Sequence, residues 1–206
     1  MISRAKAWIH GLSIFPRRVR ILAHHISQML PREAQVIDVG SGNGLIARTV
    51  MNTRSDVSIQ GVDVMKRDVE YIPVTVYDGI SLPFEDNSCD ATLFVDVLHH
   101  TLTISQLLAE ARRISKNLIV IKDHLCESRF DHRVLSFMDD VGNARFGVQI
   151  PQNYLSKSDW QQVFKEAQLE VVEWKEDLGL YPQPLDAIFG RRLHFLAALR
   201  VSKKDR

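Results

Sequence analysis

Apolar segments rich in Val, Ile and Leu alternate with amphipathic segments along residues 35–123. Continuous apolar runs are typical of strands covered on both faces of a parallel sheet, and apolar positions at helical spacing predict helices. Strands are predicted at 35–39, 57–64, 72–78, 90–98 and 117–123, with helices at 45–51 and 104–114. Pro73 cannot donate to a strand ladder, so it places the third strand at a sheet edge. This order predicts a doubly wound α/β domain.

The alternation of predicted strands and helices ends after residue 123. A long mixed insertion over 124–156 precedes a predicted helix, which Ser156 caps with Asp159 at the third position. Two further apolar segments, 169–174 and 191–201, are separated by a turn-rich stretch. They predict a terminal hairpin added to the parallel sheet.

The amino-terminal segment combines a helical pattern with an excess of basic residues. Apolar residues recur at roughly helical spacing at Val19, Leu22, Ile26, Met29 and Leu30, before Pro31. Residues 1–35 contain one acid, Glu33, and six basic residues: Arg4, Lys6, Arg17, Arg18, Arg20 and Arg32. The pattern favours a helical cap over 1–31 packed on the domain. The alternative is a peripheral contact with a membrane surface or an acidic ligand.

Composition narrows the class of protein. The 206 residues include 26 basic and 25 acidic side chains, so the net charge of +1 gives no global reason to expect nucleic acid. The two cysteines form no C-x-x-C pair, and no apolar run is long enough to span a bilayer. The start lacks the apolar stretch of a signal peptide. We therefore expect a single domain over 1–206 in the cytoplasm, with peripheral membrane contact as the alternative.

Three glycines follow the first strand within "VIDVGSGNGLIAR", residues 36–48. Glycine at alternate positions allows a sharp turn and the close approach of a ligand to the backbone. A dinucleotide fingerprint would need a glycine at position 45, which is Leu45, and no G-K-[ST] of a phosphate loop follows. A nicotinamide oxidoreductase is therefore disfavoured.

The pattern Asp38-x-Gly40-x-Gly42-x-Gly44 resembles motif I of the class I S-adenosylmethionine-dependent methyltransferases. "GVDV", which contains Asp63, and the later run "YDGISLPFEDNSCDATLFVDVLHH" resemble further landmarks of that family in the right order. The resemblance implies a seven-stranded, mostly parallel sheet of order 3-2-1-4-5-7-6 with helices on both faces. It also implies S-adenosylmethionine as cofactor and S-adenosylhomocysteine as product.

The cofactor residues follow from the same resemblance and from elementary chemistry. Asp38 would face the cationic end of the ligand, and Asp63 would accept the two ribose hydroxyls. Val64 would pack on the adenine, and Asp78 would accept its exocyclic amine. The predicted set is Asp38, Gly40, Ser41, Gly42, Gly44, Asp63, Val64, Asp78, Gly79 and Asp96. Only "MKRDVE" remains for the helix usually found after the second strand, so that helix is predicted to be a single turn or missing.

Histidines at the ends of two strands are the catalytic candidates. A sulfonium methyl is already activated, so a general base is needed only for a protonated acceptor. His124 and His100 are the predicted bases, although the Leu-His-His run also fits a packing or gating role. Adjacent residues on a strand point to opposite faces, so we expect no direct pair between Asp123 and His124.

A metal site is not expected from the sequence. Acidic and histidine residues are close along the chain at Asp123, His124, Asp131, His132, Asp139 and Asp140. They show no compact ligand spacing, and the insertion is amphipathic enough for them to be solvated helix residues.

The acceptor is only broadly constrained. The chain has "DVLHH" where methyltransferases of base amino groups usually carry Asn/Asp-Pro-Pro-aromatic, so DNA is not expected as a partner. The insertion could line an apolar pocket as a lid, or form a helical cap that packs on itself; its candidates are Phe130, Phe137, Met138, Phe146 and Tyr154. We therefore expect a small, rather apolar acceptor at an O, N or C atom. A non-catalytic cofactor-binding module and a lipid or macromolecular acceptor at a membrane surface remain alternatives.

Overall fold

A computed structural model describes residues 14–143, 151–190 and 192–202. The strands are β1 (Gln35–Val39), β2 (Ser58–Asp63), β3 (Val74–Val76), β4 (Cys89–Val95), β5 (Ser115–His124), β6 (Leu169–Lys175) and β7 (His194–Val201). The helices are α1 (Phe15–Met29), α2 (Leu45–Thr53), α3 (Ile104–Ile114), α4 (Arg129–Asn143), α5 (Lys157–Glu166) and α6 (Asp186–Phe189). A 3-10 turn at Leu98–His100 follows β4.

One seven-stranded sheet has the order β3-β2-β1-β4-β5-β7-β6. Strands β1 to β5 pair in parallel, and β7 is antiparallel to both β5 and β6. The predicted fold class, strand order and terminal hairpin are confirmed, and β3, which follows Pro73, lies at an edge as expected. The strand order reverses between the neighbouring strands β1 and β4, and open α/β sheets form their ligand cleft at such a point.

Apolar side chains cover both faces of the sheet. Successive buried residues of a strand point to opposite faces and so belong to two different cores. Val36 and Leu93 belong to a core on one face with residues of α1 and α2. Ile37 and Phe94 belong to the other core with residues of α3 and α5. The domain therefore has the three-layer architecture that continuous apolar strands predicted.

Helix α1 confirms the amphipathic pattern at its described residues. Its buried positions include Leu22 and Ile26, both fully enclosed in the core beside α2. The Arg54 guanidinium donates to the carbonyls of Ser27 at 2.7 Å and Pro31 at 2.8 Å, which satisfies carbonyls near the end of α1. Residues 1–13 lie outside the described residues.

Two local predictions are also confirmed. Ser156 and Asp159 form a reciprocal capping box at the start of α5. The connection from β2 to β3 contains no helix. Within the described ranges, none of the helices is both long and apolar enough to cross a membrane.

Candidate active site

The glycine loop after β1 is held in a conformation that glycine tolerates best. Gly40, Gly42 and Gly44 have φ of +71°, +57° and +73°. A Cβ on Gly40 would lie 2.6 Å from a methyl of Val97, and one on Gly44 would lie 2.2 Å from Ile72. A Cβ on Gly42 would meet nothing within 4 Å. Packing therefore requires two of the glycines, whereas Gly42 borders open space that a ligand can enter.

Asp63, at the tip of β2, is tied to this loop. Its carboxylate accepts the backbone N–H of Gly42 at 2.8 Å and that of Met65 at 2.9 Å, one on each oxygen. Each carboxylate oxygen can accept a second hydrogen bond, so the side chain is fixed in place and still able to bind two hydroxyls. The geometry suits the predicted ribose contact.

Asp38 lies at the centre of the site and is 3% exposed. Burial, and to a smaller extent the charge of Asp63, raise the pKa of Asp38 to about 8. Within the described ranges no side-chain hydrogen bond offsets its charge. A cationic ligand group would supply that compensation.

The predicted adenine side is apolar and open. Val64 is 54% exposed, and a Cβ on Gly79 would lie 3.1 Å from its Cγ1, so the two residues adjoin. Asp78 accepts the backbone N–H groups of Ile80 and Ser81 at 2.8 Å, both on Oδ1. Asp78 is thus a turn residue whose second oxygen takes no hydrogen bond from the described residues.

Ser41 has a hydroxyl that fits the predicted cofactor set. Its Oγ is buried without a hydrogen-bond partner among the described residues. The Ser41 side chain lies over Gly61, where a Cβ would come within 2.2 Å of that oxygen. The absence of a side chain at Gly61 therefore makes room for Ser41.

Asp96, just beyond β4, is the centre of an ion-pair network. Its carboxylate contacts Arg18 of α1 and the fully buried Lys122 of β5. Burial alone would raise the pKa of Asp96, but the charges of Arg18 and Lys122 outweigh it and hold that pKa well below its ordinary value. Asp96 remains a predicted cofactor residue, and the structure shows it linking three elements.

His99 is enclosed between two carboxylates. Its Nδ1 lies 2.6 Å from Asp123 Oδ1, and its Nε2 lies 3.4 Å from Asp139 Oδ2. Although burial acts in the opposite direction, the charge of Asp123 raises the pKa of His99 to about 10. The Tyr154 hydroxyl donates to Asp139, and the Tyr154 ring stacks on His99 with centroids 5.5 Å apart.

The predicted bases lie beside this pair. His124 is buried, with Nδ1 3.3 Å from the Leu193 carbonyl and Nε2 3.5 Å from Asp96. Burial first, and then the charge of Lys122, hold the pKa of His124 well below its ordinary value. Burial and the charge of His99 also lower the pKa of His100, whose ring lies 3.8 Å from that of His99. Both lowered pKa values favour the neutral imidazole.

As expected, the Asp123 side chain makes no pair with the His124 ring. Asp123 Oδ1 accepts the backbone N–H of His124 at 2.7 Å. The imidazole that pairs with this oxygen is that of His99, through Nδ1. Its other oxygen accepts the N–H of Leu98 at 3.0 Å. Asp123 therefore orients the 3-10 turn after β4.

The insertion after β5 contributes to the site through α4 and the segment that returns to Ser156. The N–H of Asn153 donates to the carbonyl of His99 at 2.9 Å, and its amide donates to that of Thr101 at 2.6 Å. Phe137 is 45% exposed and stacks on Phe189, whereas Phe130 is 66% exposed. Phe146 lies outside the described residues.

Sequence reasoning did not single out Lys122 or His194, and it considered Arg18, Asp139 and Tyr154 in other roles. Arg18, Lys122, Asp139, Tyr154 and His194 all join this polar cluster, and His194 Nδ1 lies 3.1 Å from Lys122 Nζ. A lysine within the apolar run "NLIVIKD" was the available signal, because a buried charge needs a partner. The remaining members are brought together only by the fold.

Two basic residues of the amino-terminal segment contact the domain itself. Arg17 donates to the carbonyl of Gly179 at 3.1 Å, and Arg18 pairs with Asp96. Contact of the segment with a membrane or an acidic ligand stays a prediction, and Arg4 and Lys6 lie outside the described residues.

Part of the chain is similar in sequence to known methyltransferases. Residues 37–118 match the family model described as a methyltransferase domain. Over 92 residues the chain is 33% identical to a protein named demethylmenaquinone methyltransferase from Tropheryma whipplei, which covers 40% of this chain and 37% of that protein. The chain thus matches little more than a third of the length of the curated relatives.

Solved structures share the fold over nearly the whole chain. A structure of the complex between the Haloferax volcanii Trm112 methyltransferase activator and a methyltransferase matches with a TM-score of 0.72 at 17% identity, covering 98% of this chain and 96% of that one. A SAM-dependent methyltransferase from Aquifex aeolicus matches with a TM-score of 0.64 at 15% identity, covering 91% and 94%. Residues 37–118 are thus similar to a methyltransferase domain, and the chain shares its fold with solved methyltransferases.

Proposed function

We propose that this chain transfers the methyl group of S-adenosylmethionine to a small, rather apolar acceptor. The observation that carries the proposal is the loop at Gly40–Gly44, which is open at Gly42 and flanked by the buried carboxylates of Asp38 and Asp63. The match of residues 37–118 to the methyltransferase-domain model supports it independently.

Residues of the site suit both the cationic end and the adenosine end of S-adenosylmethionine. Asp38 is a buried acid that lacks a compensating partner among the described residues, and it suits a cationic group. Asp63 retains acceptor capacity for two hydroxyls, and exposed Val64 offers an apolar surface for a purine. When bound, S-adenosylmethionine supplies an activated sulfonium methyl. What remains for the protein is to hold and align the acceptor and to exclude water.

The acceptor is proposed to bind beside the rings of His99 and His124, under the insertion of residues 124–156. Tyr154 contacts the rings of His99 and His124, and Val97 of the same turn abuts Gly40, so this cluster adjoins the cofactor loop. The aromatic rings of Phe137 and Phe189 add apolar surface nearby. The name of the Tropheryma whipplei relative, a demethylmenaquinone methyltransferase, supports an apolar acceptor of the same general kind.

Neither predicted base is well matched to a protonated acceptor on its own. Proton acceptance is most efficient when the pKa of the base lies near the working pH, and the pKa values of His124 and His100 are lowered. We therefore propose that alignment contributes more than proton removal by these two imidazoles. Their predicted role as bases is tested by His124→Gln and His100→Gln, which should slow transfer most for acceptors that arrive protonated.

The deciding experiment has two parts. Calorimetry with S-adenosylmethionine and with S-adenosylhomocysteine tests the cofactor site without any acceptor. Incubation with tritiated-methyl cofactor and a panel of quinols, phenols, fatty acids and amines then tests transfer. Saturable cofactor binding with label transferred to an apolar acceptor supports the proposal. Cofactor binding without transfer to any acceptor class would favour a non-catalytic binding module.

A further inference from the structure

We propose that His99, His124 and Asp139 form a binding site for one divalent transition-metal ion on the acceptor side of the cleft. One ligand atom from each residue lies within 4.8 Å of the other two. Asp139 Oδ2 is 3.4 Å from His99 Nε2, and Asp139 Oδ1 is 4.0 Å from His124 Nε2. Ligand atoms around a tetrahedral ion with bonds of about 2.0–2.1 Å stand roughly 3.3 Å apart, so modest side-chain rotation closes the set.

The outer hydrogen bonds of the two histidines orient both rings toward a common centre. His99 Nδ1 lies 2.6 Å from Asp123 Oδ1, and His124 Nδ1 lies 3.3 Å from the carbonyl of Leu193. A carbonyl and an ionised carboxylate can only accept, so each Nδ1 carries the hydrogen. In the neutral form of each ring, Nε2 then carries the lone pair, so a metal ion at His99 would replace the proton on Nε2. His124 Nε2 lies 4.0 Å from Asp139 Oδ1 and 3.5 Å from Asp96 Oδ1. Metal-binding histidines in proteins are almost always held in this way.

His99 Nε2 supplies a second, independent observation. The His99 side chain is 1% exposed, and Nε2 has no hydrogen-bond partner among the described residues. Asp139 is near it, but 3.4 Å is longer than an ordinary N–H···O bond. Buried polar atoms without a partner are rare and need an explanation. A metal ion bound to Nε2 provides one.

The charge balance around the cluster leaves a place for a cation. Arg18 and Lys122 both pair with Asp96. Among the described residues, Asp139 contacts His99 and accepts from the Tyr154 hydroxyl, so a protonated His99 or an added cation would balance its charge. A proton on His99 is the competing explanation, because it would make the group a structural ion network.

Two imidazoles and one carboxylate define the class of ion. This ligand set suits Zn²⁺, Fe²⁺ or Co²⁺ rather than Mg²⁺ or Ca²⁺, which prefer oxygen ligands alone. Three protein ligands leave at least one coordination position open. A hydroxyl oxygen of the acceptor bound there would release its proton to solvent more readily than in water. That role rests on the proposed function, whereas metal binding itself does not.

The test is metal titration of the full chain. Protein freed of metal with a chelator is titrated with Co²⁺ while ligand-field absorption is recorded, and with Zn²⁺ in a calorimeter. We expect one ion per chain, with affinity reduced at least tenfold in His124→Gln and in Asp139→Asn. Asp123→Asn, which removes the orienting carboxylate of His99, should weaken binding about 10–100-fold. The matched control is His24→Gln, an exposed histidine of α1 outside the cluster, which should bind as the wild type does.

The proposal is overturned if no saturable binding near one equivalent appears, or if His124→Gln binds as tightly as His24→Gln. Circular dichroism and melting of each metal-free variant check folding, and His124→Gln decides alone if Asp139→Asn does not fold. Cofactor calorimetry on metal-free protein separates the two hypotheses. Cofactor binding without metal binding refutes only the metal site, and metal binding without cofactor binding refutes only the proposed function.

Discussion

Asp38 offers a prediction that links stability to cofactor binding. Its pKa is raised to about 8, while an aspartate in an unfolded chain titrates near 4. The folded protein therefore keeps a proton that the unfolded chain loses, so this residue reduces stability as the pH rises from about 4 to about 8. At ~1.4 kcal/mol per pKa unit, the cost reaches about 4 kcal/mol at pH 7.

Asp38→Asn keeps the shape and removes the titration. We expect the free energy of unfolding of the variant, relative to the wild type, to rise by about 3 kcal/mol between pH 5 and pH 7. Urea denaturation followed by tryptophan fluorescence at several pH values measures this difference. Cofactor affinity should fall in the same variant, because the carboxylate that faces the cationic end is gone.

A stability difference that does not change with pH would show that Asp38 ionises normally and that the reasoning from burial is wrong. Unchanged affinity for S-adenosylmethionine would separate the residue from the cofactor. The exposed Asp68 provides the control for binding, since Asp68→Asn should leave the affinity for S-adenosylmethionine unchanged.

Three further outcomes follow from the site. Asp63→Ala should weaken S-adenosylmethionine binding by on the order of 2–3 kcal/mol in calorimetry, with Asp68→Ala unchanged; equal affinities would remove Asp63 from the ribose contact. Gly44→Ala should lower the melting temperature much more than Gly42→Ala, because only the former places a Cβ 2.2 Å from Ile72. Gly42→Ala should cost roughly 1–2 kcal/mol of stability and still impair cofactor binding, so normal affinity would contradict an approach of the ligand at that position. Phe137→Ala should change the relative rates for different acceptors before it changes cofactor affinity, and the reverse order would argue against an acceptor pocket beneath the insertion.

The strands and the glycine loop could be predicted from the sequence because they depend on residues that are close together along the chain. Continuous apolar runs gave the strands, and Pro73 marked an edge. The Ser156 capping box spans only four residues. In each case the partners that determine the structure lie within a few positions of one another, where residue spacing carries the information.

The polar cluster could not be predicted from the sequence because its members are far apart along the chain. Asp123 pairs with His99, 24 residues earlier, and Lys122 reaches His194, 72 residues later. Such contacts depend on which strand ends become neighbours and on how α4 returns over them. Asp139 shows the limit clearly, since its spacing within the insertion is that of a solvated helix residue and its contact with His99 arises only from tertiary packing.

The position of β7 has a consequence for how the molecule assembles. Strand β6 joins the sheet only through β7, and β7 is the last strand described, although it lies between β5 and β6. Contacts between segments distant along the chain form slowly because their loop-closure entropy must be met first. We therefore expect β5 to present an unpaired edge in early folding intermediates, and the surroundings of Lys122 to become ordered only when His194 docks beside it. Amide hydrogen-exchange pulse labelling during refolding should find the β4–β5 pairing, whose partners are 26–27 residues apart, protected before the β5–β7 pairing, whose partners are 70–82 residues apart.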